Sequence, residues 1–193
     1  AGAGARNSVG TAVAGGMISD TRLYRLEGPE PLGALHVEAF TMHEALHEPW
    51  CLIVSCLAET PLLNIAAMRW QQVTLVTTLA DGTEFRRTGV VEQAAITDAA
   101  TSFNRMSRYR LAVMPWLGLL RYDIRSQVWV EQPLVRLVDS VLGHYRGFAR
   151  WRWSACAMAH LAQAPQGGNL SYCMQYRETY LHLVNRLLAE AGL

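Results

Sequence analysis

The sequence predicts an α+β protein in which an antiparallel β-barrel is followed by a helix-containing segment. Between about residues 21 and 120, short apolar runs alternate with polar residues and are separated by turn-forming pairs, which is typical of an antiparallel meander. After residue 121, apolar residues recur at helical spacing. We therefore expect a flexible Gly/Ala-rich N-terminal arm over 1–20, a barrel over 21–120 and an inserted α/β segment over 121–193.

The barrel region contains six candidate extended stretches, and a loop over 97–105 precedes the last of them. Asp81-Gly82 lies between two alternating runs and predicts a tight hairpin, because both residues tolerate positive φ. Gly89, in the return strand, is expected to be a bulge or a point of close approach. The strands are expected around residues 23–26, 35–39, 51–57, 73–79, 83–96 and 109–120, with a turn at 28–31 and a helical turn or loop at 62–68.

The following segment begins with an extended stretch at 125–130 and continues into a helix. Pro133 is placed at the first helical position, where its missing N–H costs nothing. A stretch over 148–164 is tryptophan-rich and irregular, and 165–169 is expected to be a turn or mobile loop. The helix over 134–145 should bury one apolar face made of Leu134, Leu137, Val138, Val141, Leu142 and Tyr145.

The last block, 172–192, predicts a strand that leads directly into a capped helix. Tyr172, Met174 and Tyr176 alternate with Cys173, Gln175 and Arg177, which is strand spacing. Thr179 is a candidate N-cap and Gly192 a candidate C′ residue of the helix. The apolar face of this helix is expected to contain Leu181, Val184, Leu187, Leu188 and Ala191.

Composition excludes several function classes. The net charge is +1, which argues against a nucleic-acid partner or a polybasic membrane surface. No apolar run approaches the roughly 18 residues of a membrane span, so no stable membrane anchor is expected. The four cysteines lack zinc spacing and favour a cytoplasmic chain with reduced, mostly buried thiols, although one disulfide stays open.

The string His43-Glu44-Ala45-Leu46-His47 is a formal H-E-x-x-H motif, in which two histidines on a helix bind zinc and the glutamate activates water. Glu59 is an available third ligand. Pro49, two residues after the second histidine, and the lack of a helical apolar face oppose a zinc site. A zinc hydrolase is therefore the alternative hypothesis, and the favoured interpretation is a surface turn.

No other stretch indicates catalysis. The cysteine and histidine pairs lack a nucleophile context, and no phosphate-binding glycine loop is present. In the stretch 148–153, Trp151 and Trp153 lie on one face and Arg150 and Arg152 on the other. This pattern favours a core or subunit interface over nucleic-acid stacking. We therefore expect no catalytic, cofactor-binding or metal-binding residues and no cofactor.

Four blocks of the sequence together resemble VgrG, the trimeric spike protein of type VI secretion systems, which is similar to the hub of contractile phage-tail baseplates. The resemblance extends over about 21–193, with Tyr180 where the family usually has an acidic residue. The blocks are Leu23-Tyr24-Arg25-Leu26-Glu27-Gly28, Glu44-Ala45-Leu46-His47-Glu48-Pro49-Trp50, Arg108-Tyr109-Arg110-Leu111 with Met114-Pro115-Trp116-Leu117, and Gln175-Tyr176-Arg177-Glu178-Thr179 with Arg186-Leu187-Leu188.

The resemblance implies a baseplate-hub-like fold and a structural role. It implies a homotrimeric ring that links the Hcp tube to a puncturing needle, contacts baseplate proteins and helps deliver effectors into target cells. The tip protein and effectors would bind through C-terminal regions, and a second barrel would lie beyond this sequence. The implied location is the bacterial cytoplasm during assembly, followed by secretion or injection. A phage-tail baseplate hub remains a further alternative.

Overall fold

The computed structural model describes residues 23–46, 48–59, 62–101, 105–164 and 168–193. The predicted arm over 1–20 therefore lies outside the described residues. The described chain forms two compact units. Of the described residues, we call those in 23–42 and 52–113 the sheet unit, and those in 43–51 and 114–193 the ribbon unit.

The sheet unit is organised around a six-stranded sheet with the strand order β1-β4-β5-β6-β3-β2. The pairs β1/β4, β4/β5 and β3/β6 are antiparallel. The rings of Tyr24 and Phe40, on the two edge strands, meet edge to face at 5.1 Å, so the sheet curls into a half-barrel. The elements are β1 Tyr24–Glu27, β2 His36–Ala45, β3 Glu48–Ala58, α1 Ile65–Met68, β4 Gln72–Thr78, β5 Glu84–Asp98 and β6 Ser107–Met114, with a 3-10 turn at Leu32–Ala34.

Alternation along β3 and β6 builds the centre of this sheet. Val54 pairs with Leu111, and Cys56 pairs with Tyr109; all four side chains are fully buried. The Tyr109 hydroxyl accepts a hydrogen bond from the Leu63 amide at 2.8 Å, which satisfies its polar end. Burial raises the pKa of the Cys56 thiol to about 12, so this cysteine is a protonated core residue, as the sequence predicted.

The hairpin predicted at Asp81-Gly82 is present, but its geometry differs from the predicted one. The Gly82 amide donates to the Leu79 carbonyl and the Leu79 amide to the Thr83 carbonyl. Only Gly82 has positive φ in this loop, at 81°, which is the three-residue hairpin with a glycine bulge. The Asp81 carboxylate instead accepts from the amide and hydroxyl of Thr83.

The prediction of a bulge at Gly89 is wrong. Gly89 pairs with Val73, and the register continues without a shift to the pair Gln72 and Val90. A regular ladder therefore continues through this glycine.

The ribbon unit combines a two-stranded antiparallel sheet with three helices. Its core lies between one face of the two strands and the helices, and includes Cys173 of the second strand and Leu183 of the last helix. The described residues contain no helix that is long and apolar enough to cross a membrane. The elements are β7 Ile124–Pro133, α2 Leu134–Leu142, α3 Ala155–Gln163, β8 Asn169–Thr179 and α4 Tyr180–Glu190, with 3-10 turns at Trp116–Tyr122 and Gly143–Tyr145.

Together the half-barrel and the helix-containing unit confirm the predicted fold class. The apolar face predicted for α2 is also confirmed, because the five residues from Leu134 to Leu142 that define it are buried. Pro133, however, is the N-cap of α2 and not its first helical residue. The α-helix ends at Leu142, and the predicted last turn is a 3-10 turn that includes Tyr145.

Two predictions for the C-terminal half need correction. The stretch over 148–164, predicted to be irregular, contains α3, which the Ser154 hydroxyl caps by accepting from the Ala157 amide at 3.1 Å. On α4, the face toward the core is rotated relative to the predicted one, and Leu181, Leu188 and Ala191 are its partly buried flanks. The fully buried residues of α4 are Tyr180, Leu183, Val184 and Leu187.

Candidate functional site

The zinc-like string lies on a strand and its turn. His43, Glu44 and Ala45 are the last residues of β2, and Leu46 lies in the following turn. A strand directs neighbouring side chains to opposite faces, whereas the zinc-binding motif requires a helix. His47 lies outside the described residues. Among the residues that the structure describes, no group of three His, Cys, Asp or Glu side chains could hold a metal ion.

The junction between β8 and α4 is the most highly organised polar region of the ribbon unit. The Thr179 hydroxyl accepts from the His182 amide at 3.1 Å, which confirms the predicted N-cap. At the other end, Gly192 has φ of 74°. The Gly192 amide donates to Ala189 and the Leu193 amide to Leu188, which is the Schellman arrangement. The sequence therefore encodes both ends of α4 locally.

Glu178, immediately before the cap, is the centre of an ion-pair cluster. Both of its oxygens accept from the Arg186 guanidinium, at 2.9 and 3.0 Å, and His182 is a second partner. The Arg186 hydrogen bond is the main cause that lowers the pKa of the Glu178 carboxyl. Arg186 also donates to the Met174 carbonyl at 3.2 Å, so one side chain joins α4 to β8.

A bulge in β8, where Tyr176 and Arg177 together oppose the single residue Ser126 of β7, lies beside this cluster. The register between the two strands shifts between Arg125 and Gln127. The intervening Ser126 hydroxyl accepts from the Arg177 amide at 3.1 Å. Arg177 has φ of 47°, a conformation that costs a non-glycine residue free energy and needs support from neighbouring groups. The Ser126 hydrogen bond provides such support.

Asp123 joins the start of the ribbon to the start of α4. Its backbone carbonyl accepts from the Tyr180 amide at 3.0 Å, and its carboxylate pairs with Arg125 at 2.7 Å. The Tyr145 hydroxyl donates to the same carboxylate at 3.3 Å. Burial is the main cause that raises the pKa of Tyr145 to about 12, and the Asp123 charge adds to it. Gln127 completes the cluster by donating to the Tyr180 hydroxyl.

The tryptophan-rich stretch is fixed by one carboxylate. The indole N–H groups of Trp151 and Trp153 both donate to Asp139 Oδ1, at 2.7 and 2.9 Å. Both rings are half-buried, whereas Arg150 and Arg152 are exposed. The predicted division into a tryptophan face and an arginine face is therefore confirmed, although the stretch has no strand structure.

These polar side chains mainly bind one another and the backbone, so they stabilise the arrangement of strands and helices in the ribbon unit. In the described part of the chain, Gln175 Oε1 is the one buried side-chain oxygen or nitrogen without a partner. Sequence reasoning named Gln175, Glu178 and Thr179 as motif residues, but it missed Asp123, Asp139 and the pairing of Arg186. Their partners are distant in sequence or on other elements, and no local spacing signals such a contact.

The described chain thus consists of a curled antiparallel sheet and of a ribbon unit whose own strands and helices are connected by polar clusters. The chain belongs to the phage tail baseplate hub (GPD) family, whose sequence pattern matches residues 43–193.

Three relatives from Pseudomonas aeruginosa are type VI secretion system spike proteins. VgrG1b is 23% identical over 177 residues, which is 92% of this chain and 22% of that protein. VgrG4b is 28% identical, over 82% of this chain and 18% of that protein. VgrG1c is 25% identical, over 89% of this chain and 20% of that protein. The predicted resemblance to VgrG is confirmed, and the chain spans about a fifth of the length of these relatives.

A solved structure has the same fold. It is the E. coli c3393 protein, described as a component of the type VI secretion system with structural similarity to the T4 bacteriophage tail proteins gp27 and gp5. The TM-score is 0.66 at 18% identity, and the match covers 86% of this chain and 43% of that one.

Proposed function

We propose that this chain is a structural part of the spike hub of a type VI secretion system. The observation that carries the proposal is the family match over residues 43–193, together with relatives that are type VI spike proteins. The role is mechanical: the hub transmits force from the contracting sheath to the spike and fixes the symmetry of the assembly. It catalyses no reaction and binds no cofactor.

In this proposal, three copies form a ring between the Hcp tube and the puncturing needle, and the assembled spike helps deliver effectors into target cells. Baseplate proteins contact the ring, and the tip protein and effectors bind other regions of the spike. The hub assembles in the bacterial cytoplasm and is then secreted or injected. The clusters around Glu178, Asp123 and Asp139 support a role in force transmission, because they connect neighbouring elements by charge-assisted hydrogen bonds.

The proposed organisation has an arm over 1–20, a first hub barrel over 21–120 and an inserted α/β segment over 121–193, which leads toward a second barrel. The order of the described elements supports this division, because strands β1 to β6 precede residue 120 and helices α2, α3 and α4 follow it.

A phage-tail baseplate hub is the second candidate function. The description of the matched family and the similarity of the solved neighbour to T4 tail proteins favour it specifically. Both candidates are hubs of contractile machines, so an assay must separate the two machines.

Deletion of the coding sequence in the bacterium that carries it tests the proposal. We expect the tube protein to disappear from the culture medium while its amount inside the cells stays unchanged, and the wild-type chain supplied in trans should restore its release. Unchanged release would contradict the secretion role. Loss of infectious tailed particles, with normal tube-protein release, would establish the phage hub instead.

A further inference from the structure

One polar group in the core of the ribbon unit has no hydrogen-bond partner. Gln175 is 1% exposed, and its side-chain oxygen Oε1 is the one buried side-chain oxygen or nitrogen of the described residues that is left unpaired. Buried polar groups of folded proteins nearly always bind either another protein group or an ordered water. The Gln175 oxygen therefore points to a donor that binds in front of it.

The other end of the Gln175 amide fixes its orientation. Its Nε2 donates to the Glu178 carbonyl at 2.7 Å. If the amide were rotated by 180°, Oε1 would face that carbonyl oxygen, and two acceptors form no hydrogen bond with each other. The bond to Glu178 therefore requires Oε1 to point away from the Glu178 carbonyl, toward a donor elsewhere.

A suitable donor belongs to the elements that surround this amide. Gln127 is the cross-strand partner of Gln175, and residues directly opposite each other in an antiparallel pair have Cβ atoms about 4.5–5.5 Å apart. Gln127 Nε2 donates to the Tyr180 hydroxyl at 3.1 Å. That bond uses a lone pair of the hydroxyl oxygen, so the Tyr180 O–H itself is still available as a donor.

We propose that one buried water molecule binds between the Tyr180 hydroxyl and Gln175 Oε1. The water accepts from the Tyr180 O–H and donates to Gln175 Oε1; buried water typically makes about two to four hydrogen bonds. It completes a polar chain that runs from Gln127 on β7 through Tyr180 on α4 to Gln175 on β8 and on to the Glu178 carbonyl. The site lies within one subunit, so it goes beyond the proposed function and does not depend on it.

The bulge in β8 provides irregular packing next to this site. Tyr176 and Arg177, which directly follow Gln175, together oppose Ser126 of β7, and the Arg177 amide donates to the Ser126 hydroxyl instead of to a ladder carbonyl. A bulge locally disrupts the ladder and bends the strand. Such a place can hold the space of at least about 10–15 Å³ that one water requires.

Water fits this site better than other ligands do. A divalent cation is bound mainly by carboxylate oxygens, whereas both oxygens of Glu178 already accept from Arg186. Tyr180 and Gln175 are 2% and 1% exposed, so a side chain from another segment or another protein cannot reach the space between them unless the core of the ribbon unit opens. A water molecule is small enough to be enclosed there.

An experimental structure of the full natural polypeptide that contains this sequence, at a resolution that shows ordered water, tests the inference. We expect a density peak within about 2.5–3.0 Å of both Gln175 Oε1 and the Tyr180 hydroxyl oxygen. Direct contact between these two oxygens, a protein group in the position of the peak, or no density there would overturn the inference. None of these results would affect the proposed hub function.

A pair of matched variants identifies the donor. Tyr180→Phe keeps the buried ring and removes only the hydroxyl, so the peak should disappear. Tyr145→Phe is the control, because it removes another hydroxyl of the ribbon unit, which donates to Asp123, and the peak should stay. A peak that persists unchanged in Tyr180→Phe would overturn the proposed bridge. If Tyr180→Phe does not fold, the wild-type density decides alone.

Discussion

The sheet unit and the ribbon unit differ in the kind of side chain that their β-sheets expose to solvent. On the sheet unit, an ion-pair network joins Arg25 and Glu27 of β1 to Glu84 and Arg86 of β5 across the intervening strand β4, with Arg25 and Glu84 2.6 Å apart. On the ribbon unit, the outward face of the β7–β8 sheet, which we call the outer ribbon face, carries the exposed residues Val128, Val130, Tyr172, Met174 and Tyr176. The difference indicates that this part of the sheet unit exposes charged side chains to water, whereas one face of the ribbon exposes uncharged, mostly apolar ones.

The largest effect should come from the centre of the sheet unit. Leu111→Ala removes a fully buried side chain and should lower the free energy of unfolding by about 2–5 kcal/mol, because a cavity remains. Met174→Ala on the outer ribbon face should change it by less than about 0.5 kcal/mol. Urea unfolding at low protein concentration measures both variants. Equal losses would contradict the assignment of Met174 to an uncovered face.

A second comparison concerns two glutamates that each have two basic partners. The Glu178 side chain is 11% exposed and that of Glu84 is 39% exposed. Glu178→Gln should cost about 1–3 kcal/mol at neutral pH, because it removes a charge-assisted, partly buried hydrogen-bond pair. Glu84→Gln should cost clearly less, because solvent screens its ion pairs.

The pH dependence of Glu178→Gln has a defined direction. The pKa of Glu178 is lowered in the folded state, mainly by Arg186, so its contribution is fully present above the unfolded value of about 4.3. The contribution decreases as the pH falls through the lowered pKa. The difference in melting temperature between wild type and variant should therefore decrease as the pH falls below about 4. A difference that keeps growing below about pH 4 would contradict the ion-pair role.

A smaller effect is expected at the start of α4. Thr179→Ala removes the side-chain acceptor of the His182 amide and should cost about 1 kcal/mol. Thr179→Ser keeps a hydroxyl and should retain most of the stability. Thermal unfolding of the two variants in parallel measures the cap, and equal losses would show that the threonine methyl group, not the hydroxyl, is important.

The fold class and the β8–α4 junction could be predicted because their signals are local. Alternation in β8, the Thr179 cap and the positive φ of Gly192 each depend on a few neighbouring residues. Helix α3 escaped prediction because it buries only Leu161 and therefore has almost no apolar periodicity. Its one local signal was Ser154, whose hydroxyl caps the helix.

The candidate site was predictable only in part, because its contacts join distant residues. Gln127 and Tyr180 are 53 positions apart, and Ser126 and Arg177 are 51 apart. Single-sequence patterns do not encode such pairs. The hairpin at Asp81-Gly82 shows the same limit, because the strand register selects a three-residue loop where the dipeptide alone predicted a two-residue one.

The smallest effect should come from His43, which lies on β2 and not on a helix. His43→Ala should leave stability within about 0.5 kcal/mol of the wild type and should not change the metal content of the purified protein. Elemental analysis measures the metal. Stoichiometric zinc that disappears in the variant would contradict the purely structural role and favour the zinc-hydrolase alternative.

The subunit count tests the hub account most directly. Light scattering on the full natural polypeptide that contains this sequence should give three times the mass of one chain, because a ring-shaped hub repeats one contact around a three-fold axis. A mass equal to one chain across the accessible concentration range would contradict the account.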